Sequence, residues 1–419
     1  MHPNVLLEHA TELLHRVLQL KHPADGVVSD YFREHRALGS RERHTLAETT
    51  YTVLRQRPLL QHLAQAGKGE MERRLALLGW QGNDGFLRAA SSEFEQQWLE
   101  RARQIDRSTL PEALRHNLPA WLANVLQPAL GDEFWPLVES LDKPAPLDLR
   151  VNSFKVKRDD VQRAFAAEGI EALPTPFSPL GLRIQGRPAL HKLDVFLRGD
   201  VEVQDEGSQL LGLITGAKRG EMVVDFCAGA GGKTLALGAE MRNTGRLYAF
   251  DTSGHRLASL KPRLARSGLS NVHPVQIAHE RDDRIKRLAG KIDRVLIDAP
   301  CSGLGTLRRN PDLKWRQSPE SVAEMRIKQA AILASASRLL KAGGRLVYAT
   351  CSLLEVEDEE VANEFSALHE ASFKPVPVEE LLVRGHVAGA EGLVSGDFLR
   401  MWPHRHGTDG FFAAAWERR

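Results

Sequence analysis

The chain has few cysteines and no long apolar runs, and these shortages exclude several classes of protein. Its 419 residues include three cysteines, Cys227, Cys301 and Cys351. They are too few and too widely spaced for a disulfide framework or a Cys-x-x-Cys zinc site. No apolar run approaches the roughly 20 residues of a membrane-spanning helix, and the first residues contain no apolar signal-peptide core. We therefore expect a cytoplasmic protein without membrane contact or bound metal, in which a conspicuous cysteine is a candidate reactive thiol.

The chain also lacks a strong excess of charge. Its formal net charge of +2 is nearly neutral, so charge alone does not indicate a nucleic-acid-binding protein. A composition of 42% hydrophobic and 26% charged residues is ordinary for a globular protein, and no internal repeat stands out. At this length two or three domains are expected.

Residues 1 to about 135 have the pattern of consecutive amphipathic helices, because apolar residues recur three and four positions apart. After Gly39, Ser40 is the predicted N-cap of a later helix with one basic side. Such a side is typical of a solvated surface and also of an RNA-binding one. With its Leu-Gly-Ser-Arg-Glu-Arg run at residues 38–43, the segment resembles the NusB-like RNA-binding helical domain, and we assign residues 1–138 to such a domain.

A change of pattern near Pro144 marks a second, smaller domain. Residues 146–152 alternate like a strand, residues 161–167 suit a short helix, and residues 177–184 indicate a turn followed by a strand. We expect residues 139–205 to form a small α/β subdomain that resembles an RRM.

From residue 206 onward, apolar strands alternate with helices. The runs at residues 222–226, 247–250 and 294–297 are mostly apolar and do not alternate with polar residues, which is typical of strands buried on both faces of a mainly parallel sheet. The predicted fold class is α/β, with a doubly wound, Rossmann-like domain over residues 206–419.

A glycine-rich loop, CAGAGGKT at residues 227–234, follows the first of these strands and precedes a predicted helix. Such a loop offers a ligand a tight turn and free N–H groups. A P-loop would need glycine where Cys227 stands, and the dinucleotide fingerprint would need a third glycine where Thr234 stands. Asp251 ends the second strand, where doubly wound folds bind ribose hydroxyls, although alone it could be a turn residue. S-adenosylmethionine, a nucleoside cofactor without a pyrophosphate, fits best.

Two cysteines lie at predicted strand ends. Asp298 and Cys301 follow the strand at residues 294–297, and Cys351 follows another apolar run. A single cysteine is more often a small buried apolar residue. Two cysteines at the carboxyl ends of strands favour a functional role, because α/β sheets bind ligands at those ends. A thiolate that adds to carbon 6 of cytosine makes carbon 5 nucleophilic towards a methyl sulfonium. A carboxylate at the base edge stabilises the adduct, and a second thiol assists its release.

These motifs carry a family resemblance. CAGAGGKT, DAPCSGLGTLRRNPDLKW and YATCSLLEVEDEE are similar to motifs of the RNA cytosine-5 methyltransferases of the Sun, or RsmB-like, family, which have a class I methyltransferase fold. QDEGSQL, PHRHGTDGFF and LRVN extend the likeness. The resemblance implies that Cys351 is the nucleophile, that Cys301 promotes product release, and that Asp298 contacts the target base. Lys233 would lie between cofactor and base, where its charge can lower a nearby thiol pKa.

The resemblance also implies a set of cofactor-binding residues, with Asp298 near the methionine part of the cofactor. The predicted set is Cys227, Ala228, Gly229, Ala230, Gly231, Gly232, Lys233, Asp251 and Asp298. The family commonly has proline at the position of Ala230, and its usual acidic residue after the third strand has no clear counterpart in residues 278–282.

Several cationic residues and one tryptophan follow the Cys301 loop. Such a group could bind RNA phosphates and stack on a base. The same composition is also found in a charged loop whose one tryptophan is buried. The residues predicted to bind RNA are Arg308, Arg309, Lys314, Trp315, Arg150 and Asn152. His404 and His406 lack further metal ligands, and residues 357–360 are expected to open a helix rather than bind metal.

The sequence thus predicts a monomeric, S-adenosylmethionine-dependent RNA cytosine-5 methyltransferase. Its predicted substrate is ribosomal RNA, specifically 16S ribosomal RNA. Transfer RNA remains an alternative substrate. Two other interpretations are a DNA cytosine-5 methyltransferase that uses Cys301 alone and a non-catalytic RNA-binding or ribosome-assembly factor.

Overall fold

The chain forms two units, and one of them is assembled from two separate stretches of sequence. The structure is a computed structural model that describes every residue from Met1 to Arg419. The helical unit comprises Met1–Pro144 and Thr306–Pro319, and the sheet unit comprises Ala145–Gly305 and Glu320–Arg419.

The helical unit forms because each of its main helices buries one apolar side. In the first helix Leu7, Leu13 and Leu14 are fully buried, at the spacing that the sequence predicted. Gly39, not the predicted Ser40, is the N-cap of the third helix, since the Glu42 carboxylate accepts the Gly39 N–H at 2.6 Å. The helices are Pro3–Val17, Ala24–Glu34, Ser40–Arg55, Arg57–Ala64, Met71–Leu78, Asp84–Ala90, Glu93–Arg103, Glu112–His116, Ala120–Leu130, Phe134–Leu141 and, from the second stretch, Leu313–Arg316.

The second stretch is bound into the helical unit by reciprocal hydrogen bonds. Lys314 Nζ donates to the Arg55 carbonyl at 2.6 Å, and Arg55 Nη2 donates to the Arg308 carbonyl at 3.1 Å. The Trp315 indole donates to the Leu54 carbonyl at 2.7 Å and packs against the apolar core of the unit. The expected boundary at residue 138 therefore leaves out a segment that the helical unit takes from far along the chain.

The sheet unit begins with a small antiparallel sheet. Its strands are β1 Leu147–Val151, β2 Ala172–Pro174, β3 Gly181–Ile184 and β4 Val201–Val203, in the order β2-β3-β1-β4. The helix Arg158–Ala167 buries Val161 and Phe165 in the core of this sheet, and a short helix spans Asp194–Leu197. The alternating strand and the short helix predicted from the sequence are both present.

The larger sheet has nine strands. They are β5 Met222–Asp225, β6 Arg246–Asp251, β7 Val272–Gln276, β8 Ile292–Asp298, β9 Leu340–Thr350, β10 Phe373–Pro375, β11 Val394–Ser395, β12 Phe398–Met401 and β13 Phe411–Arg418. The order is β11-β12-β13-β9-β8-β5-β6-β7, with β10 paired to β13. The accompanying helices are Glu206–Thr215, Gly232–Glu240, Gly254–Ser267, Asp283–Lys286, Pro319–Ser337, Glu359–Leu368, Val378–Arg384 and Pro403–His406.

The five strands from β9 to β7 are parallel, and β5, β8 and β9 bury residues on both of their faces. Leu296 and Val347 belong to one apolar core, while Val295 and Leu346, one residue earlier in each strand, belong to the other. This alternation explains why the central strands are mostly apolar, and it confirms the predicted doubly wound, Rossmann-like class. The antiparallel edge formed by β10 to β13 was not predicted. None of the helices combines the length and the apolar character that a membrane crossing requires.

Candidate active site

The candidate site lies at the carboxyl ends of the parallel strands. Asp225 ends β5, Asp251 ends β6 and Asp298 ends β8, while Cys351 directly follows the end of β9 at Thr350. The strand order reverses between β5 and β8, and doubly wound sheets bind ligands in the crevice at such a reversal.

The glycine-rich loop has the backbone that its sequence demands. Gly229 and Gly231 adopt φ values of +55° and +83°, which favour glycine. A Cβ on Gly231 would lie 2.1 Å from a methyl carbon of Leu260, so a larger residue would strain the backbone and force Leu260 to move. Gly231 is also the N-cap of the helix Gly232–Glu240, whose first N–H groups face the loop with no helical partner. Ala230 occupies the turn without disturbing it.

Asp251 is tied to this loop. Its Oδ2 accepts the Gly229 N–H at 2.8 Å, and its Oδ1 accepts the Ser253 N–H at 2.7 Å. Each carboxylate oxygen has a second lone pair, so capacity remains for the two hydroxyls of a ribose. The Asp251 carboxylate thus fixes the loop, and it is also suited to the predicted contact with ribose hydroxyls.

Asp225 is a site residue that sequence reasoning missed, although its place at the end of the strand before the loop was a usable signal. Burial raises the pKa of Asp225 to about 7. Its Oδ2 accepts the Thr234 hydroxyl at 2.6 Å, but its buried Oδ1 has no partner. An unsatisfied buried oxygen beside the loop fits a cofactor that brings a hydrogen-bond donor. Burial and the nearby Asp225 raise the pKa of the Cys227 thiol, so Cys227 lines the loop as a neutral group.

Lys233 and Asp298 form an ion pair inside the crevice. Lys233 Nζ lies 2.7 Å from Asp298 Oδ2. Burial alone would lower the pKa of Lys233, but the Asp298 carboxylate outweighs burial and raises it above its ordinary value. Lys233 therefore stays charged, and its ammonium also interacts electrostatically with the Cys351 thiol.

The two thiols predicted to act together are in contact. Cys301 Sγ lies 3.4 Å from Cys351 Sγ, although 50 residues separate them in sequence. The hydrogen bond to Cys351 raises the pKa of Cys301, and burial raises it further. Cys301 is thus held as a neutral thiol in contact with the Cys351 sulfur.

Backbone contacts hold the two cysteine loops side by side. The Ala299 N–H donates to the Ala349 carbonyl and the Gly305 N–H to the Cys351 carbonyl, both at 2.8 Å. The Gly410 N–H donates to the Gly305 carbonyl at 2.8 Å. A Cβ on Gly305 would lie 2.2 Å from the Gly410 oxygen, so only glycine permits this approach.

Two residues predicted to bind RNA have structural roles instead. Arg150 is 2% exposed and donates to Gln204 Oε1 at 2.6 Å. The Asn152 amide donates to the carbonyls of Gly199 and Ser267, both at 3.0 Å. Both side chains are buried and already hydrogen-bonded, so the expectation that they contact RNA is not met by this structure.

The basic segment after Cys301 differs from expectation in a similar way. Lys314 is 2% exposed and Arg308 is 6% exposed. Burial lowers the pKa of Lys314 to about 8, an environment unlike a phosphate contact. Trp315 is half-buried against the helical core, and the Arg309 side chain is likewise only partly exposed. For Lys314, Arg308 and Trp315, a charged loop with a buried tryptophan is therefore a better description than an RNA-binding surface.

The acidic run after Cys351 opens a helix, as predicted, but only Glu359 and Glu360 lie in its first turn. Glu357 and Asp358 are fully buried, and the helix begins only at Glu359. Their carboxylates therefore do not face the helix dipole from solvent. His406 does not resemble a metal ligand, because its ring contacts the Trp402 N–H and the Gly392 carbonyl.

A glycine loop at the reversal of a parallel sheet, followed by acidic strand ends, defines the class of Rossmann-like methyltransferases. A family model described as 16S rRNA methyltransferase RsmB/F matches residues 213–417, and a ferredoxin-like domain model of the same family matches residues 118–191. A Synechocystis protein named "Probable ribosomal RNA small subunit methyltransferase B" is 33% identical over 312 residues, which cover 74% of this chain and 69% of that protein. The chain belongs to the RsmB/F family and is a methyltransferase.

Solved structures share the fold of this chain. The crystal structure of a protein named PH0851 superposes with a TM-score of 0.81 at 27% identity, over 100% of this chain and 99% of that one. A methyltransferase homolog from Pyrococcus horikoshii gives a TM-score of 0.63 at 26% identity, over 75% of this chain and all of that one.

Proposed function

We propose that the protein transfers a methyl group from S-adenosylmethionine to carbon 5 of a cytosine in RNA, with 16S ribosomal RNA as the substrate. The observation that carries this proposal is the contact between the Cys301 and Cys351 thiols beside the Lys233–Asp298 ion pair. Alkylation of a pyrimidine carbon calls for a thiol nucleophile and a second group that removes the carbon 5 proton. The names of the relatives support ribosomal RNA, and the site supports cytosine carbon 5.

Each residue of the site has a separate role in the proposed reaction. Bound S-adenosylmethionine supplies an electrophilic methyl group, and the glycine loop, Asp225 and Asp251 are the groups that would hold it. Cys351 adds to carbon 6, which forms a carbon–sulfur bond and moves the ring electrons towards the base edge. Asp298 accepts a hydrogen bond from that edge, where the exocyclic amine or a protonated ring nitrogen lies. Carbon 5, made nucleophilic by this addition, would then accept the methyl group that the bound cofactor supplies, with a neutral thioether as the leaving group.

The pKa of Cys301 suits it to the last step. Before addition, its hydrogen bond to Cys351 and the charge of Cys351 both hold the proton on Cys301. Once the Cys351 sulfur is bonded to carbon 6 it carries no charge, so both influences disappear and Cys301 ionises more readily. Cys301 then removes the carbon 5 proton, the electron pair re-forms the ring double bond, and the Cys351–carbon 6 bond breaks.

The test is a comparison of cysteine variants on a denaturing gel. Wild type, Cys301→Ala and Cys351→Ala are incubated with 16S rRNA, with transfer RNA and with labelled S-adenosylmethionine. Cys301→Ala should accumulate a denaturation-resistant protein–RNA adduct, and Cys351→Ala should give neither adduct nor methylated RNA. Methylation by Cys351→Ala would refute the assignment of the nucleophile, and label in transfer RNA alone would refute the substrate.

A further inference from the structure

Glu357 is the least expected residue near the thiols, because it is a carboxylate with 0% exposure and no ion-pair partner. An isolated buried carboxylate is costly unless hydrogen bonds replace its water. Here four donors do so. Glu357 Oε1 accepts the Ser302 N–H at 2.8 Å and the Gln329 amide at 3.0 Å, while Oε2 accepts the hydroxyls of Ser302 and Ser352.

The donors come from the two cysteine loops. Ser302 directly follows Cys301, and Ser352 directly follows Cys351. Their hydroxyl oxygens lie 3.3 Å apart and share one carboxylate oxygen. The Gln329 amide that donates to Glu357 also donates to the Pro300 carbonyl at 3.0 Å, which ties the Cys301 loop from its other side.

Glu357 is itself fixed to β9, the strand that ends directly before Cys351. The Tyr348 hydroxyl donates to the Glu357 carbonyl at 2.5 Å. The next residue, Asp358, accepts the Thr350 hydroxyl and pairs with the buried Arg400, whose Nη2 donates to the Leu353 carbonyl at 3.0 Å. Glu357 therefore occupies a rigid position from which it reaches both loops.

We propose that Glu357 is a positioning residue that sets the separation of Cys301 and Cys351 by hydrogen-bonding the serine after each cysteine. The contribution to methyl transfer rests on the function proposed above, but the contribution to thiol spacing does not. Misplacing a reacting group by about 1 Å can lower a rate by about 100-fold. Removing one carboxylate oxygen should loosen both loops together, since each hydroxyl loses the same acceptor.

A chemical proximity assay tests this without requiring methyltransferase activity. Diamide takes two electrons and two protons from the pair of thiols, so a disulfide forms between Cys301 and Cys351 and diamide is reduced to the hydrazine. At a separation of 3.4 Å this step should be fast in wild type. Glu357→Gln should slow it at least 10-fold, whereas Glu355→Gln, the same change at an exposed position two residues earlier, should not.

Activity gives the second readout. In Glu357→Gln the kcat for RNA methylation should fall 10-fold to 100-fold, while the KM for S-adenosylmethionine stays within about 2-fold, because the carboxylate touches no cofactor-loop residue. If Glu357→Gln does not fold, Ser302→Ala and Ser352→Ala replace it. Each should slow disulfide formation, and the double variant should slow it by less than the product of the single effects, since both act through one carboxylate.

Disulfide formation at the wild-type rate in Glu357→Gln, or in both serine variants, would overturn the proposal. If wild type methylates no RNA but the disulfide rates still differ as expected, the proposed function fails and the positioning role stands.

Discussion

At the scale of single residues, the charge of Lys233 matters most for the proposed chemistry. Its ammonium pairs with Asp298 and interacts with Cys351, and its raised pKa keeps it charged. Lys233→Met keeps the length of the side chain but removes the charge. We expect kcat to fall by about 100-fold, which is typical when a preorganised charge is removed from a site. Single-turnover methylation measures this.

A matched control is Lys218→Met, at an exposed lysine of the same unit, which should keep the wild-type rate. A Lys233→Met variant that methylates RNA as fast as wild type would show that the ammonium does not act on the reacting groups. In that case Lys233 would only satisfy the charge of Asp298.

Residues at strand ends could be placed from the sequence, whereas buried polar residues could not. Asp298, Cys301 and Cys351 follow apolar strands, and parallel strands bring their carboxyl ends to one edge. No such rule places Arg150 or Glu357. Their partners include Gln204 and Ser302, which lie 54 and 55 residues away, and a charged residue in a sequence gives no sign of whether it is buried.

At the scale of elements, the segment Thr306–Pro319 combines an unfavourable buried charge with favourable packing. Burial lowers the pKa of Lys314 from 10.5 to about 8. Between these values the unfolded chain holds a proton that the folded chain has released. The free energy of unfolding therefore increases with pH from about 8 to about 10.5. Over this window Lys314 accounts for an increase of roughly 3 kcal/mol.

Lys314→Met removes this titration. We expect the variant to be more stable than wild type at pH 7, and the difference should shrink as the pH rises to 10. Denaturant unfolding followed by tryptophan fluorescence at several pH values measures it. Lys143→Met, at an exposed lysine of the helical unit, should follow the wild-type curve. A constant difference between Lys314→Met and wild type at all pH values would contradict the low pKa.

The same segment shows which elements sequence patterns can locate. The helix Pro3–Val17 and strand β8 were found because their apolar residues recur at the period of the element. Residues 306–319 carry four cations and one tryptophan, which suggested a surface loop. Their burial depends on carbonyls of Leu54 and Arg55, and a contact over such a sequence distance leaves no local pattern.

At the scale of the whole molecule, the discontinuous helical unit implies that the chain cannot be divided at residue 144 without cost. A chain that starts at Ala145 would lack the carbonyls to which Lys314 and Trp315 donate, and Trp315 would lose its apolar packing. A buried donor without its acceptor costs roughly 1–3 kcal/mol. We expect residues 306–319 to lose their fixed conformation in the shortened chain.

Limited proteolysis with trypsin detects this loss. In the full chain, cleavage after Arg308 or Lys314 should be slow, because proteases cut segments that open locally. In the shortened chain it should be at least 10-fold faster relative to cleavage after the exposed Lys192, which serves as an internal reference in both proteins. Equal protection in both chains would mean that the sheet unit alone holds residues 306–319. Faster cleavage would show that the loop after Cys301 depends for its conformation on the first 144 residues, and a truncation would then alter the candidate active site without removing any of its residues.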